Sequence, residues 1–481
     1  MYIYINMKIG ILGIQMPKNN DFDITNEFDL ELINHLLGNN TGNMLFLNAI
    51  LSFINTNNNS IENVNYNNHK LYYDCIIMPM ANIIGYHTPD NSISDLIKFI
   101  NKFDCEIIVI GMGSQIWYDE LIVNINNNIN LSDLLITFIK TISNRCNKIF
   151  IRCENTKKIL NYYGIENVEV TGCPSILLNS NKELGKNIKN KIEYFKNNID
   201  KIKLNLTYQL VYSNEFQKIC TLSEMYNAPI IIQDDLEFMK EIFNKKKTIF
   251  DNNRFNLFYK IEDWLNFLND YNTSIGLRIH GTIINIINEN IGINICHDAR
   301  TLGLCKILNI PYIEITNFLK QSDTNCLEYI INNIFFDENI FDNNRIIFAK
   351  KYKEEFEKYN IPLSEHLDNI IFKKINTKTF CLYKNLNDIL KLPDDFKESE
   401  YKNLNTDLQY LSVSELRTHY LTNYHTENRK YKYENIPDDF DPKTYIELNE
   451  DLKNMNVLEA KNHYENQGYK ENREYKYKNI P

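Results

Sequence analysis

The sequence predicts two doubly wound α/β domains followed by a mostly helical tail built from a tandem repeat. Three observations carry this reading. From Lys8 to about Tyr312, short β-branched apolar runs alternate with amphipathic segments, the pattern of parallel sheets covered by helices. Cationic, polar and glycine residues collect where those runs end. Beyond Leu392 the chain repeats itself in register.

Strands are expected at 8–14, 75–78, 106–110, 148–151, 168–170, 229–232, 274–277 and 293–296. Helical spacing of apolar residues marks 44–53, 131–142, 156–162, 215–226, 262–267 and 282–288. A single sheet of that span would be unusual, so the break is placed in the Lys/Asn-rich stretch 179–205. The expected divisions are 1–178, 179–375, a linker at 376–392, and repeat units at 393–436 and 437–480. The repeat rests on an offset of 44 residues: Pro393/Pro437, Phe396/Phe440, Tyr401/Tyr445, His419/His463, Arg429/Arg473 and Tyr431/Tyr475. Asn479-Ile480-Pro481 matches Asn435-Ile436-Pro437, so the chain is expected to be a fragment of a longer protein.

The chain has 481 residues, of which 43% are hydrophobic and 12% aromatic, enough for real cores. Its formal charge of −10 excludes a generic nucleic-acid binder, which needs a basic footprint. Runs such as Asn57-Asn58-Asn59 and Asn126-Asn127-Asn128 point to an AT-rich genome, as in some intracellular parasites and large DNA viruses. The ten cysteines show no C-x-x-C spacing, so a reducing compartment is expected and no zinc signature is present. The apolar N-terminus lacks a basic leader and a cleavage site, and no run of transmembrane length occurs. A cytoplasmic protein is expected, in the host cytoplasm if the source is viral.

Ligands of doubly wound sheets bind beyond the carboxyl ends of the strands, and there the distinctive residues lie. Ser274–Leu277 runs into Arg278-Ile279-His280-Gly281-Thr282. Arginine offers a planar fork for carboxylate or phosphate, a helix start favours anions, and histidine moves protons near neutral pH. A strand-end ion pair beside a capping histidine is the plain alternative. The expected strand at 106–110 ends in Gly111-Met-Gly-Ser114-Gln115, which lacks the G-x-G-x-x-G spacing and ribose carboxylate of a dinucleotide site. Arg152 ends another strand with Glu154 nearby to neutralise it. Asp298 reads as a helix N-cap even where Arg300 faces the cleft, and His297, His419 and His463 read as structural. Thr41-Gly-Asn43 reads as a helix start.

Together these motifs resemble the polysaccharide pyruvyl transferase family. The resemblance covers roughly residues 8 to 320 and rests on Thr41-Gly-Asn43, Gly111-Met-Gly-Ser-Gln115, Ile151-Arg-Cys-Glu154, Thr171-Gly-Cys-Pro-Ser175, Gly276-Leu-Arg-Ile-His-Gly-Thr282 and His297-Asp-Ala-Arg-Thr301. It implies two Rossmann-like domains facing one another in a GT-B-like fold. It implies phosphoenolpyruvate as donor substrate and a glycan sugar as acceptor. The product would be a cyclic pyruvate ketal across two hydroxyls, with phosphate released. In that reading His280 is the acid/base. Arg278, Arg152, Arg300 and the backbone of Gly281 and Thr282 hold the donor, while Asn43, Ser114 and Gln115 orient donor or acceptor. No metal or further cofactor is demanded. The rival functions are a GT-B glycosyltransferase using a nucleotide sugar, and a non-catalytic glycan-binding or assembly protein working through its repeats. Partner docking or self-association through the repeats is also open, and their acidic residues outnumber their basic ones.

Overall fold

The computed structural model describes residues 7–13, 37–38, 40–55, 59–64, 72–85, 90–114, 131–208, 214–233, 254–372, 395–409, 411, 416, 419–420, 429–437 and 439–477. The expected linker at 376–392 and Gln115 lie outside them.

The chain divides into two compact units, one running to Ile389 and one formed mainly by Leu390–Pro481. The first unit holds two six-stranded sheets, all of whose neighbours are parallel. The first sheet comprises β1 (Lys8–Ile11), β2 (Ser60–Asn63), β3 (Cys75–Pro79), β4 (Glu106–Met112), β5 (Ile149–Ile151) and β6 (Val168–Val170). Its order is β2-β1-β3-β4-β5-β6. The second comprises β7 (Leu204–Tyr208), β8 (Ile230–Ile232), β9 (Phe255–Asn256), β10 (Thr273–Gly276), β11 (Ile291–Cys296) and β12 (Tyr312–Glu314), in the order β12-β11-β10-β7-β8-β9. Strands β3, β7, β10 and β11 are buried along their whole length, as parallel strands covered on both faces must be.

Strand order reverses between β1 and β3 in one sheet and between β7 and β10 in the other. Such switch points are where open α/β sheets take ligands. The helices that start near these carboxyl ends are α1 (Asn43–Ser52), α2 (Glu154–Tyr162), α3 (Ile279–Ile287) and α4 (Ala299–Leu308). Helix α3 is buried throughout, and internal amides fix its place. Asn285 Nδ2 donates to the Gly281 carbonyl at 2.9 Å, Asn205 Nδ2 donates to Asn285 Oδ1 at 3.0 Å, and Asn294 Nδ2 donates to Thr282 Oγ1 at 3.2 Å.

The stretch 179–205, read from composition as a break, contains the helix Leu184–Lys196 and the start of β7. Leu184, Ile188, Ile192 and Phe195 line that helix's buried face. Lysine and asparagine occupy its outer positions and hide the period. Strand β7 was missed because its Leu-Asn-Leu-Thr-Tyr sequence reads as half-exposed, whereas Asn205 and Thr207 are fully buried. Nor does the chain cross between the sheets once. The long helix Glu338–Lys358 reaches back to the first lobe, where Tyr352 and Thr171 share a 2.8 Å hydroxyl hydrogen bond and Asn147 Nδ2 donates to Glu355 at 2.7 Å. From that helix the buried Arg345 donates to the carbonyls of Ile176, Asn179 and Asn181, clamping the connection between the lobes.

In the second unit the same contacts recur 44 residues apart. Tyr401 pairs with His419 at 3.0 Å, and Tyr445 pairs with His463 at 2.9 Å. Arg429 pairs with Asp407, and Arg473 with Asp451. These histidines are held by tyrosine hydroxyls inside small aromatic clusters, with ring contacts to Tyr401 and Tyr445. No helix among the described residues is long and apolar enough to cross a membrane.

One consequence concerns acid stability. His366 is buried, its Nε2 donates to the Leu177 carbonyl at 2.7 Å, and burial pulls its pKa down to about 4. Burial also lowers the pKa of His280 and His297. A folded-state pKa below the unfolded value of about 6.5 means that the unfolded chain binds more protons between the two. Stability should therefore fall as pH drops from about 6.5 toward 4. His366→Gln, which keeps a donor for Leu177 but cannot charge, should flatten part of that decline in denaturant unfolding at pH 7 and pH 5. An unchanged slope would contradict the assignment.

Candidate active site

Three arginines and one histidine converge at the facing strand ends. Arg152 follows β5, Arg278 follows β10 at the N-cap position of α3 without a side-chain capping bond, and Arg300 lies in the first turn of α4. His280 is in the first turn of α3, and its Nε2 lies 3.6 Å from the Sγ of Cys173, which follows β6 in the other lobe. The contact joins the carboxyl edges of the two sheets.

Arg152 is 2% exposed. Its Nη1 donates to Asn82 Oδ1 at 3.1 Å, and its guanidinium lies 5.2 Å from the Phe46 ring centre, over a residue of α1. Its Nε and Nη2 are buried with no hydrogen-bond partner among the described residues. Burying a charged donor in that state is costly, and an incoming anion would relieve it. Burial lowers the Arg152 pKa, and Arg300 adds to the effect. The Arg278 pKa is pulled to about 9 by burial and by Arg300, with Asp298 opposing. Arg300 thus acts on both other arginines, and all three act on His280.

Asp298 is the carboxylate that stands among them. Its Oδ1 accepts from the Thr301 N–H at 2.7 Å and caps α4, while its Oδ2 accepts from Arg300 Nε at 3.2 Å. Burial opposes its ionisation, but Arg300, His297 and Thr301 hold its pKa below the usual value. One side chain thus caps a helix and aims an arginine. His297 Nε2 lies 3.6 Å from the same Oδ2.

His280 is 5% exposed. Burial, followed by Arg152, Arg300 and Arg278, pushes its pKa well below the ordinary imidazole value. The ring is therefore neutral near pH 7, and an anion beside the arginines would raise its pKa. Thr41-Gly42-Asn43 presses against it. A methyl group at Gly42 would stand 2.8 Å from His280 Nδ1 and 2.5 Å from Gln233 Oε1, so this loop tolerates no side chain. Gly111, at φ +71°, lets β4 pass the Phe46 ring, which a methyl group there would meet at 2.4 Å.

Three expected contributors, Thr282, Ser114 and Asn43, have other local duties. The Thr282 N–H donates to the Arg278 carbonyl at 3.1 Å, and its hydroxyl accepts from Asn294, so it adds no anion donor. The helix start instead leaves the N–H groups of Ile279, His280 and Gly281 without intrahelical acceptors. Ser114 is tied to Thr156, its N–H at 3.2 Å and its hydroxyl at 3.1 Å from Thr156 Oγ1, which docks the β4 loop onto α2. Asn43 Nδ2 donates to the Leu37 carbonyl at 2.9 Å, bracing the turn before α1. Gly281 packs closely against Thr207 and Gln233.

Sequence reasoning passed over Asn82, Thr207 and Gln233. Gln233 follows β8 directly, so the strand-end rule that found Arg278 would have found it. Thr207 was lost with β7, and Asn82 follows a short loop that offered no pattern.

A family model described as polysaccharide pyruvyl transferase matches residues 40–288. No curated protein matches the chain. Among solved structures, the chain is similar to the UDP-GlcNAc 2-epimerase of Methanocaldococcus jannaschii in complex with UDP-GlcNAc and UDP. The identity is 14%, over 72% of this chain and 100% of that one, at a TM-score of 0.35. The UDP-GlcNAc 2-epimerase of Neisseria meningitidis bound to UDP-GlcNAc is 13% identical over 72% of this chain and 99% of that one, at 0.34. Sucrose-phosphate synthase from Thermosynechococcus elongatus is 8% identical over 74% and 96%, at 0.35.

The convergence of cations makes a direct prediction. Inorganic phosphate should bind the protein in calorimetric titration, and Arg152→Met should weaken it by about tenfold or more. Binding should be accompanied by proton uptake, seen as a buffer-dependent heat at pH 6–7, because the anion raises the His280 pKa. Equal affinity in wild type and variant would refute an anion site here.

Proposed function

The chain belongs to the polysaccharide pyruvyl transferase family, a family of transferases acting on polysaccharide, and we propose that it moves the pyruvyl group of phosphoenolpyruvate onto two hydroxyls of a glycan sugar. The observation that carries this reading is the buried Arg152, whose Nε and Nη2 have no hydrogen-bond partner among the described residues, beside Arg278, Arg300 and a neutral His280. Phosphoenolpyruvate brings a carboxylate and a phosphate, and such a donor needs several cations in one place. Two Rossmann-like lobes in a GT-B-like pairing would set donor and acceptor between facing strand ends.

Both ketal oxygens come from the sugar, so the donor's bond from C2 to the phosphate oxygen must break. The donor's methylene carbon gains a proton and C2 develops oxocarbenium character. The first sugar hydroxyl then attacks C2 and loses its proton. Phosphate departs and the second hydroxyl closes the ring. Two C–O bonds form and one breaks. Of the two hydroxyl protons, one is balanced by the new methyl group and the other leaves with phosphate.

His280 is the acid/base of these transfers. It starts neutral, takes a proton as the donor's charge offsets the arginines, and passes it to the methylene carbon. It is then restored as base for a sugar hydroxyl. Such a role is worth about 10²–10⁴-fold in rate. The arginines stabilise departing phosphate, and Cys173, 3.6 Å from Nε2, packs against the ring.

His280→Ala should lower acceptor-dependent phosphate release by about a hundredfold or more while leaving phosphoenolpyruvate affinity within a few-fold. Arg278→Ala should chiefly weaken donor binding. Steady-state kinetics combined with calorimetry separate the two effects, and full turnover by His280→Ala would remove the acid/base assignment.

A further inference from the structure

Beside His280 lie four buried polar atoms that no charge explains. Thr41 Oγ1, Thr207 Oγ1, and both Oε1 and Nε2 of Gln233 have no hydrogen-bond partner among the described residues. Thr41 and Thr207 are fully buried and Gln233 is 1% exposed. The glycines locate the amide. A methyl group at Gly42 would stand 2.5 Å from Gln233 Oε1, and one at Gly281 would stand 2.7 Å from Gln233 Nε2. The Gln233 amide therefore sits between the Thr41-Gly42 loop and the first turn of α3. Thr207 is at the sheet's switch point; the same methyl at Gly281 would meet its Cγ2 at 2.6 Å, while its Oγ1 lies over Gly276 of β10, where an added methyl would meet it at 2.1 Å.

Unpaired buried polar atoms are rare and costly, and several gathered in one place call for a ligand. Their chemistry is uncharged. A primary amide presents one donor face and one acceptor face, and a threonine hydroxyl can do either. Hydroxyls, which also donate and accept, match such a set, whereas an anionic group is better served by the arginines.

We propose that Thr41, Thr207 and Gln233 form the subsite for the acceptor's hydroxyl pair, the ligand being a neutral pyranoside with two hydroxyls close in space. This rests on the reading that the protein pyruvylates a sugar. One hydroxyl donates to Gln233 Oε1, its neighbour accepts from Gln233 Nε2, and the threonines complete the set. Either hydroxyl then lies beside His280, the group that takes its proton. A site built to pair hydroxyls discriminates strongly against analogues that lack one.

The test uses the full chain, phosphoenolpyruvate, and methyl β-D-galactopyranoside, methyl β-D-glucopyranoside and methyl α-D-mannopyranoside as acceptors. Gln233→Leu should keep phosphoenolpyruvate affinity within about twofold while raising the acceptor KM by at least about tenfold. Thr207→Val, nearly the same size, should show the same split and guards against misfolding of the first variant. Loss of phosphoenolpyruvate binding with an unchanged acceptor KM would move the amide to the donor site and overturn the proposal. An unchanged KM in both variants would overturn it too. Failure of the wild type itself to bind phosphoenolpyruvate would instead sink the pyruvyl-transfer reading, before any variant is compared.

Discussion

Everything distinctive about this site follows from gathering three guanidinium groups, Arg152 buried and Arg278 and Arg300 partly buried, around one imidazole. Arg300 opposes the charge of both Arg152 and Arg278, and Asp298 is an acidic partner set beside Arg278 and Arg300. Desolvated like charges are expensive, so the arrangement persists because the rest of the fold holds it. Its unrelieved charge makes the site ready for an anion, and burial together with the same charge holds the His280 pKa well below the ordinary imidazole value. In the proposed reaction this charge would couple donor binding to proton transfer.

The scaffold can be read as the means of enforcing that fact. Helix α3 brings His280 to the switch point because buried asparagines on β7 and β11 hold its first turns. Asp298 caps α4 and aims Arg300 with the same carboxylate. The Glu338–Lys358 helix clamps the interlobe connection through Arg345, so the two strand-end edges are tied by more than one crossing.

The cationic half of the site was legible in the sequence because strand ends followed by arginine or histidine are locally visible. Arg278 and His280 close a β-branched run, and the family pattern supplies their companions. The uncharged half was less legible. Gln233 obeys the same strand-end rule but carries no charge to draw attention. Thr207 sits in a strand whose Asn205 and Thr207 look solvent-facing yet lie in the core. The abundant asparagines were read as a mark of genome composition, although Asn205, Asn285 and Asn294 are internal hydrogen-bonding groups. Thr282 and Ser114 stood in the right motifs, but their hydrogen bonds hold helices together, and no local pattern reveals whether a hydroxyl turns inward or toward a ligand.

The most direct test of the account is a structure of the protein with phosphoenolpyruvate bound. The donor should lie against Arg152, its oxygens accepting from the Nε and Nη2 that now lack partners, with Arg278 on the same anion and the methylene carbon within reach of His280. Phosphoenolpyruvate seated away from these arginines, or with its methylene turned from His280, would contradict it.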